Sequence, residues 1–313
     1  MKKQLPTVFL LGVLLISTGL LFKRQAVLDW WHLRDYTAPT VVAQLATDDT
    51  MTPEGQHLFY VNHPEVTAGS AFGVHCPAGS EKTVVLGCYL SSDNGIYIYA
   101  VHDSRLSGVE QVTAAHEMLH AAYRRLSGSK RTSVNAMLLD YYQHHLTDQR
   151  IKDTLAAYKT AEPNDVVNEM HSIFGTEVAN LPPALEAYYK QYFTNRQKVA
   201  AYTASYQNEF TSRQTQVESY DTQLKSLKVQ IDTGEAALTQ QSAALSAERS
   251  ELQTSGSNAQ VAVYNQKVAE YNDLLANTKS QINQYNDIVS KRNALALEEQ
   301  QLQQELSASS LAK

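Results

Sequence analysis

The sequence predicts an α+β protein. A small antiparallel sheet and a group of helices precede a long antiparallel coiled-coil hairpin, and a transmembrane helix opens the chain. Three observations carry this reading. Residues 5–22 (LPTVFLLGVLLISTGLLF) run without a charge. Short β-like segments between residues 71 and 101 lead into SGVEQVTAAHEMLHAAYRRL, whose apolar residues recur at helical spacing. After residue 200 a heptad stripe runs almost to the C-terminus. The expected division is 1–24 as the membrane span, 25–192 as the domain that carries chemistry, and 193–313 as the hairpin.

Composition narrows the function classes. The chain has 313 residues, 43% hydrophobic and 19% charged, with a formal net charge of −6. That balance argues against a dedicated nucleic-acid binder, which usually shows a basic surplus. Two cysteines exclude a disulfide-dense miniprotein and a four-thiolate zinc site.

The N-terminal run is at the short end of what crosses a bilayer. It reads as an uncleaved signal anchor rather than a cleaved signal peptide. The best processing triplet, Ser17-Thr18-Gly19, is followed by further apolar residues. This places the protein in the cell membrane as a single-pass chain with its catalytic domain extracytoplasmic. Trp30 and Trp31 suit either a membrane interface or a core. In an exported chain, Cys76 and Cys88 are expected to pair.

Three strands are expected as a meander: AFGVHC, TVVLGCYL and, after an Asp93-Asn94-Gly95 turn, IYIYAV at 96–101. IYIYAV reads as an edge strand. Helices are expected over about 107–126 and 131–159, and from Pro163-Asn164 to near Gly175. In the tail, Val217, Tyr220, Leu224, Leu227 and Ile231 begin one heptad run. Val261, Tyr264, Val268 and Tyr271 begin another beyond a Thr254–Asn258 break, which suggests a hairpin. Its flanks are weakly charged, so a coiled-coil partner or self-association stays open.

His116-Glu117-Met118-Leu119-His120 carries the chemistry. Residues i and i+4 share a helix face, so both imidazoles reach one metal ion. Glu117 can then serve as general base toward a water at that ion. Chance gives this pattern in roughly one or two such chains per hundred. Its Ala, Met and Leu neighbours suit a helix buried on its other faces. A third ligand is expected from VVNEMHSIFGTEV at 166–178. Glu169, inside a helix, is preferred to Glu177 in a loop, because a helix fixes a ligand better. His171 is read as catalytic, an electrophile steadying the tetrahedral oxyanion, or as a support for a ligand. Tyr188 and Tyr189 are further oxyanion candidates or packing residues. His144 and His145 point in different directions on a helix and read as solvated.

The stretch TAAHEMLHAA resembles the zinc-binding helix of zincin metallopeptidases, and a later glutamate on a second helix resembles the gluzincin branch. The resemblance implies a zincin-like catalytic domain and a zinc metallopeptidase. In it, His116, His120 and Glu169 would hold Zn2+, Glu117 would be the base, and a protein or peptide would be the substrate. The alternative is a cell-envelope scaffold acting through its coiled coil, with an inactive or structural metal site. A zinc amidase acting on a wall polymer would use the same chemistry.

Overall fold

A computed structural model describes residues 24–76, 86–92 and 95–307. In chain order, helices α1 (Arg24–Leu33), α2 (Thr40–Asp48) and α3 (Pro53–Tyr60) lead to strand β1 (Glu65–Thr67) and helix α4 (Gly69–His75). Strands β2 (Gly87–Leu90) and β3 (Gly95–Tyr99) follow. Next come α5 (Val109–Arg124), α6 (Gly128–His144), α7 (Gln149–Ala161), α8 (Val166–Glu177) and α9 (Pro183–Tyr189). The last two helices are α10 (Arg196–Ser255) and α11 (Asn258–Ser307). The chain forms two compact units. One runs to Gln207 and takes in the residues from Gln304 onward; the other is Asn208–Gln303.

The first unit is built around α5. Ala114, Ala115, Met118 and Leu119 are wholly buried there. They pack in one core with Val42 and Leu45 of α2, Leu58 and Phe59 of α3, and Ile173 and Phe174 of α8. The sheet has the order β1-β3-β2, with β1 parallel and β2 antiparallel to β3. Side-chain alternation divides β3 between two cores. Ile96 and Ile98 enter the main core, while Tyr97 and Tyr99 join Phe72 and Cys76 in a small second one. Cys76 and Cys88 form a disulfide across that second core. Closing so short a loop contributes about 3 kcal/mol in the chain-entropy account.

Charged anchors complete this unit. Asp29 is the buried residue of α1. It accepts two hydrogen bonds from Arg125 at 2.8 and 3.0 Å and lies 2.9 Å from His57 Nε2, which fastens α1 to α3 and to the end of α5. Arg196 is 3% exposed and donates to the carbonyls of Val178 (2.5 Å) and Ala179 (2.9 Å), while also pairing with Glu186. It thereby satisfies carbonyls that the end of α8 leaves open.

In the second unit, α10 and α11 run antiparallel. Glu248 pairs with Lys267 (2.8 Å), Gln230 with Gln281 (2.9 Å) and Asp221 with Arg292 (3.0 Å). Ile231 and Thr278 are buried between the helices.

Several expectations are corrected. Helices dominate, and the sheet is a three-stranded mixed one, not the antiparallel meander of an α+β fold. AFGVHC is not a strand. Phe72 and Cys76 stand four residues apart and both are buried, which is helical spacing, and the segment forms α4. The strand 96–101 is not at the edge; β3 is central because β1 returns to pair along its other side. The expected transmembrane helix and single-pass membrane location are not supported either. Among the described residues no helix is long and apolar enough to cross a membrane. The run 5–22 lies outside the described residues. Trp30 and Trp31, 64% and 60% exposed, do not pack in the core.

Asp49 is wholly buried, and neither of its carboxylate oxygens has a hydrogen-bond partner among the described residues. Burial pushes its pKa well above the usual value, Asp48 adds to the shift and Lys198 opposes it. The folded state therefore binds this proton more tightly than the unfolded chain does. Stability should fall as pH rises from about 4 through the raised value, by at most about 1.4 kcal/mol per unit. Urea unfolding across pH should show this slope in the wild type and its loss in Asp49→Asn.

Candidate metal centre

The centre arises where α5 and α8 lie against each other. Gly175 sets how closely they approach. A Cβ there would come within 2.3 Å of Leu119 Cδ1 and 2.9 Å of Tyr189 Cε1, so a larger residue would force α8 away. Along α5, His116 and His120 stand one turn apart with ring centroids 4.7 Å from each other. From the first turn of α8, Glu169 reaches both. Its Oε2 is 3.7 Å from His116 Nε2, and its Oε1 is 3.4 Å from His120 Nε2.

One ligand atom from each of these three residues lies within 4.8 Å of the others. Tetrahedral zinc with bonds near 2.05 Å would set such atoms about 3.3 Å apart. The spacing is therefore close to what an ion needs. Among the described residues, Glu169 Oε2 is buried and lacks a hydrogen-bond partner, as does His120 Nδ1. A buried carboxylate oxygen without a donor is costly, and a cation between it and the imidazoles would satisfy it. Burial pushes the Glu169 carboxyl up, but His120 and His116 outweigh it and hold the pKa below the ordinary range. The carboxylate is thus kept ionised and suited to a metal. Ser172 Oγ lies 3.4 Å from His120 Nε2 and 3.2 Å from the carbonyl oxygens of Asn168 and Glu169.

Glu117 faces the other neighbour of α5, strand β2. Tyr99 N–H donates to the Leu86 carbonyl at 2.8 Å. Antiparallel pairing alternates, so Cys88 with Tyr97 and Leu90 with Gly95 are the bonded pairs that follow. Gly87 and Tyr89 consequently turn their N–H and C=O groups to the outer edge. The Tyr89 amide donates to Glu117. Gly87 admits α5 to contact, since a Cβ there would meet Thr113 Cγ2 at 2.4 Å and Glu117 Oε1 at 2.9 Å. Burial pushes the Glu117 carboxyl up to about 7; Glu169 adds to the shift, while His120 and the Tyr89 amide oppose it.

His171 is not brought to the cluster. It is wholly buried, with Nε2 2.8 Å from the Tyr188 hydroxyl and its ring against Tyr123 and Tyr189. Burial first, then the imidazoles of His120 and His116, push its pKa down to about 3. A neutral ring enclosed in this way ties α8 to α9. The tyrosines are equally committed. Tyr188 OH lies 3.3 Å from Tyr192 OH, and the Tyr189 hydroxyl donates to the His171 carbonyl at 2.7 Å. Glu177, at the far end of α8, pairs with Arg150 at 2.7 Å. His144 and His145 are exposed beside Asp140.

Three contributors carry no local signal in the sequence: Gly87 and Tyr89, which place the strand edge at Glu117, and Arg196, which caps α8. Compared with protein-family models, curated proteins and solved structures, the chain finds no match.

Arg196→Ala should remove one partner of Glu186, which keeps Leu181 N–H and Gln197, leave the Val178 and Ala179 carbonyls without the guanidinium, and cost about 2 kcal/mol. The shift of the urea midpoint at constant slope measures it. A change under about 1 kcal/mol would mean that the cap does not hold α8.

Proposed function

We propose that the protein is a zinc-dependent peptidase. The observation that carries this is the convergence of His116, His120 and Glu169, with Glu117 buried beside the outer edge of β2. His116, His120 and Glu169 would hold the zinc, which when bound supplies a Lewis acid beside a water and a carbonyl.

The chain's own groups account for the remaining work. Gly87 and the Tyr89 carbonyl offer main-chain hydrogen bonds to an extended peptide lying antiparallel to β2. Such a strand passes Glu117, which the Tyr89 amide orients. Glu117 takes a proton from the attacking water onto its carboxylate and then delivers it to the leaving amine nitrogen. The hydrolysis yields one new carboxylate and one amine. An edge of four residues favours a peptide in extended form over a compact or ring-bearing amide.

Protein purified without added metal should contain one zinc per chain by elemental analysis. Glu117→Gln should keep that zinc and lose peptide hydrolysis by about 10³ or more. A cluster that takes up no zinc even when it is offered, or a Glu117→Gln variant with full activity, would overturn the reading.

A further inference from the structure

The strand that approaches Glu117 is short. It covers Gly87–Leu90 and, among the described residues, pairs on one side, with β3. Main-chain pairing over four residues holds a strand weakly, since each hydrogen bond contributes little net stability. The requirement on it is nevertheless strict. Tyr89 N–H must meet the Glu117 carboxylate, and Gly87 must seat against Thr113 and Glu117.

Alternation along β2 shows what supplies the missing constraint. Gly87 and Tyr89 share one face and Cys88 and Leu90 the other. The first face lies on α5, where Gly87 contacts Thr113 and Glu117. The second packs on the small core of Phe72, Cys76, Tyr97 and Tyr99. On that second face Cys88 is bonded covalently to Cys76, the residue that ends α4. Phe72 of α4 is wholly buried, and its ring meets Tyr99 of β3 edge-on at 5.5 Å. The disulfide thus fastens the middle of β2 to an anchored helix from behind, while the strand's front face and outer edge address the base.

We propose that Cys76 and Cys88 are positioning residues for peptide hydrolysis, their bond holding β2 at the register in which its outer edge meets both Glu117 and an extended substrate. The substrate part of this rests on the peptidase reading; the positioning of β2 does not. The bond crosses neither α5 nor α8, so the three metal-ligating side chains keep their geometry without it.

Amide hydrogen exchange of the intact, zinc-loaded chain before and after treatment with a water-soluble phosphine tests the inference. The phosphine becomes a phosphine oxide with oxygen from water, and the two sulfurs leave as thiols carrying the two protons. Amides of Cys88, Tyr89 and Leu90 should exchange at least tenfold faster in the reduced protein, with α5, α8 and the zinc content unchanged. KM for an extended peptide should rise tenfold or more, with a smaller fall in kcat. A Cys76→Ser/Cys88→Ser chain should reproduce the reduced state. Unchanged exchange in β2 would overturn the proposal, as would α5 losing protection together with β2, which would make the bond a staple of the whole fold. If no peptide is cleaved by the oxidised protein, the peptidase reading fails while the exchange result still decides the positioning of β2.

Discussion

Glu169 reaches His116 and His120 because α8 packs flat on α5, and that packing turns on the missing side chain at Gly175. Leu119 fills the space a Cβ would take. Leu119 of α5 and Ile173 of α8 belong to the main core, so the apolar packing of that core and the geometry of the polar cluster are linked through these two helices. The Glu169 carboxylate is buried, and the imidazoles of His120 and His116 offset its loss of water. It is held there by helices whose other faces are committed to the core, and one of its oxygens has no donor among the described residues. Two of the buried polar atoms without a partner among the described residues, Glu169 Oε2 and His120 Nδ1, lie at this cluster.

Around that crossing the supports are layered. Arg196 closes the end of α8, His171 and Tyr188 join α8 to α9, and Asp29 with Arg125 secures the end of α5. The sheet is small because it serves as a positioning element. Its outer strand is brought to α5 by Gly87 and tied behind by Cys88, which leaves the edge facing Glu117.

What could be read from the sequence follows from physical range. The spacing of His116 and His120 is local, and a helix converts it directly into a shared face. The heptad stripe is likewise a repeated local signal, and its break at Thr254–Asn258 lies where α10 ends and α11 begins. Glu169 stands inside a helix, as its flanking sequence predicts, and lies within 4.8 Å of both imidazoles. His171 illustrates the limit. Two residues from Glu169, it shares the composition of a catalytic group, but its environment of Tyr123, Tyr188 and Tyr189 comes from elements distant in sequence. Strand assignment failed for a related reason. AFGVHC has β-like composition, and only packing on Tyr97 and Tyr99 shows that Phe72 and Cys76 belong to one helix face. Sheet order was also out of reach, since the return of β1 beside β3 is a long-range pairing.

Under the proposed function, two imidazoles from α5 and one carboxylate from α8 would hold a single ion. X-ray absorption at the zinc edge of the stoichiometrically loaded protein examines this most directly. The account predicts two imidazole nitrogens near 2.0–2.1 Å, a carboxylate oxygen at about 2.0–2.2 Å and no sulfur, with the carboxylate contribution lost in Glu169→Gln. A zinc spectrum showing one imidazole or none, or one unchanged by Glu169→Gln, would contradict it.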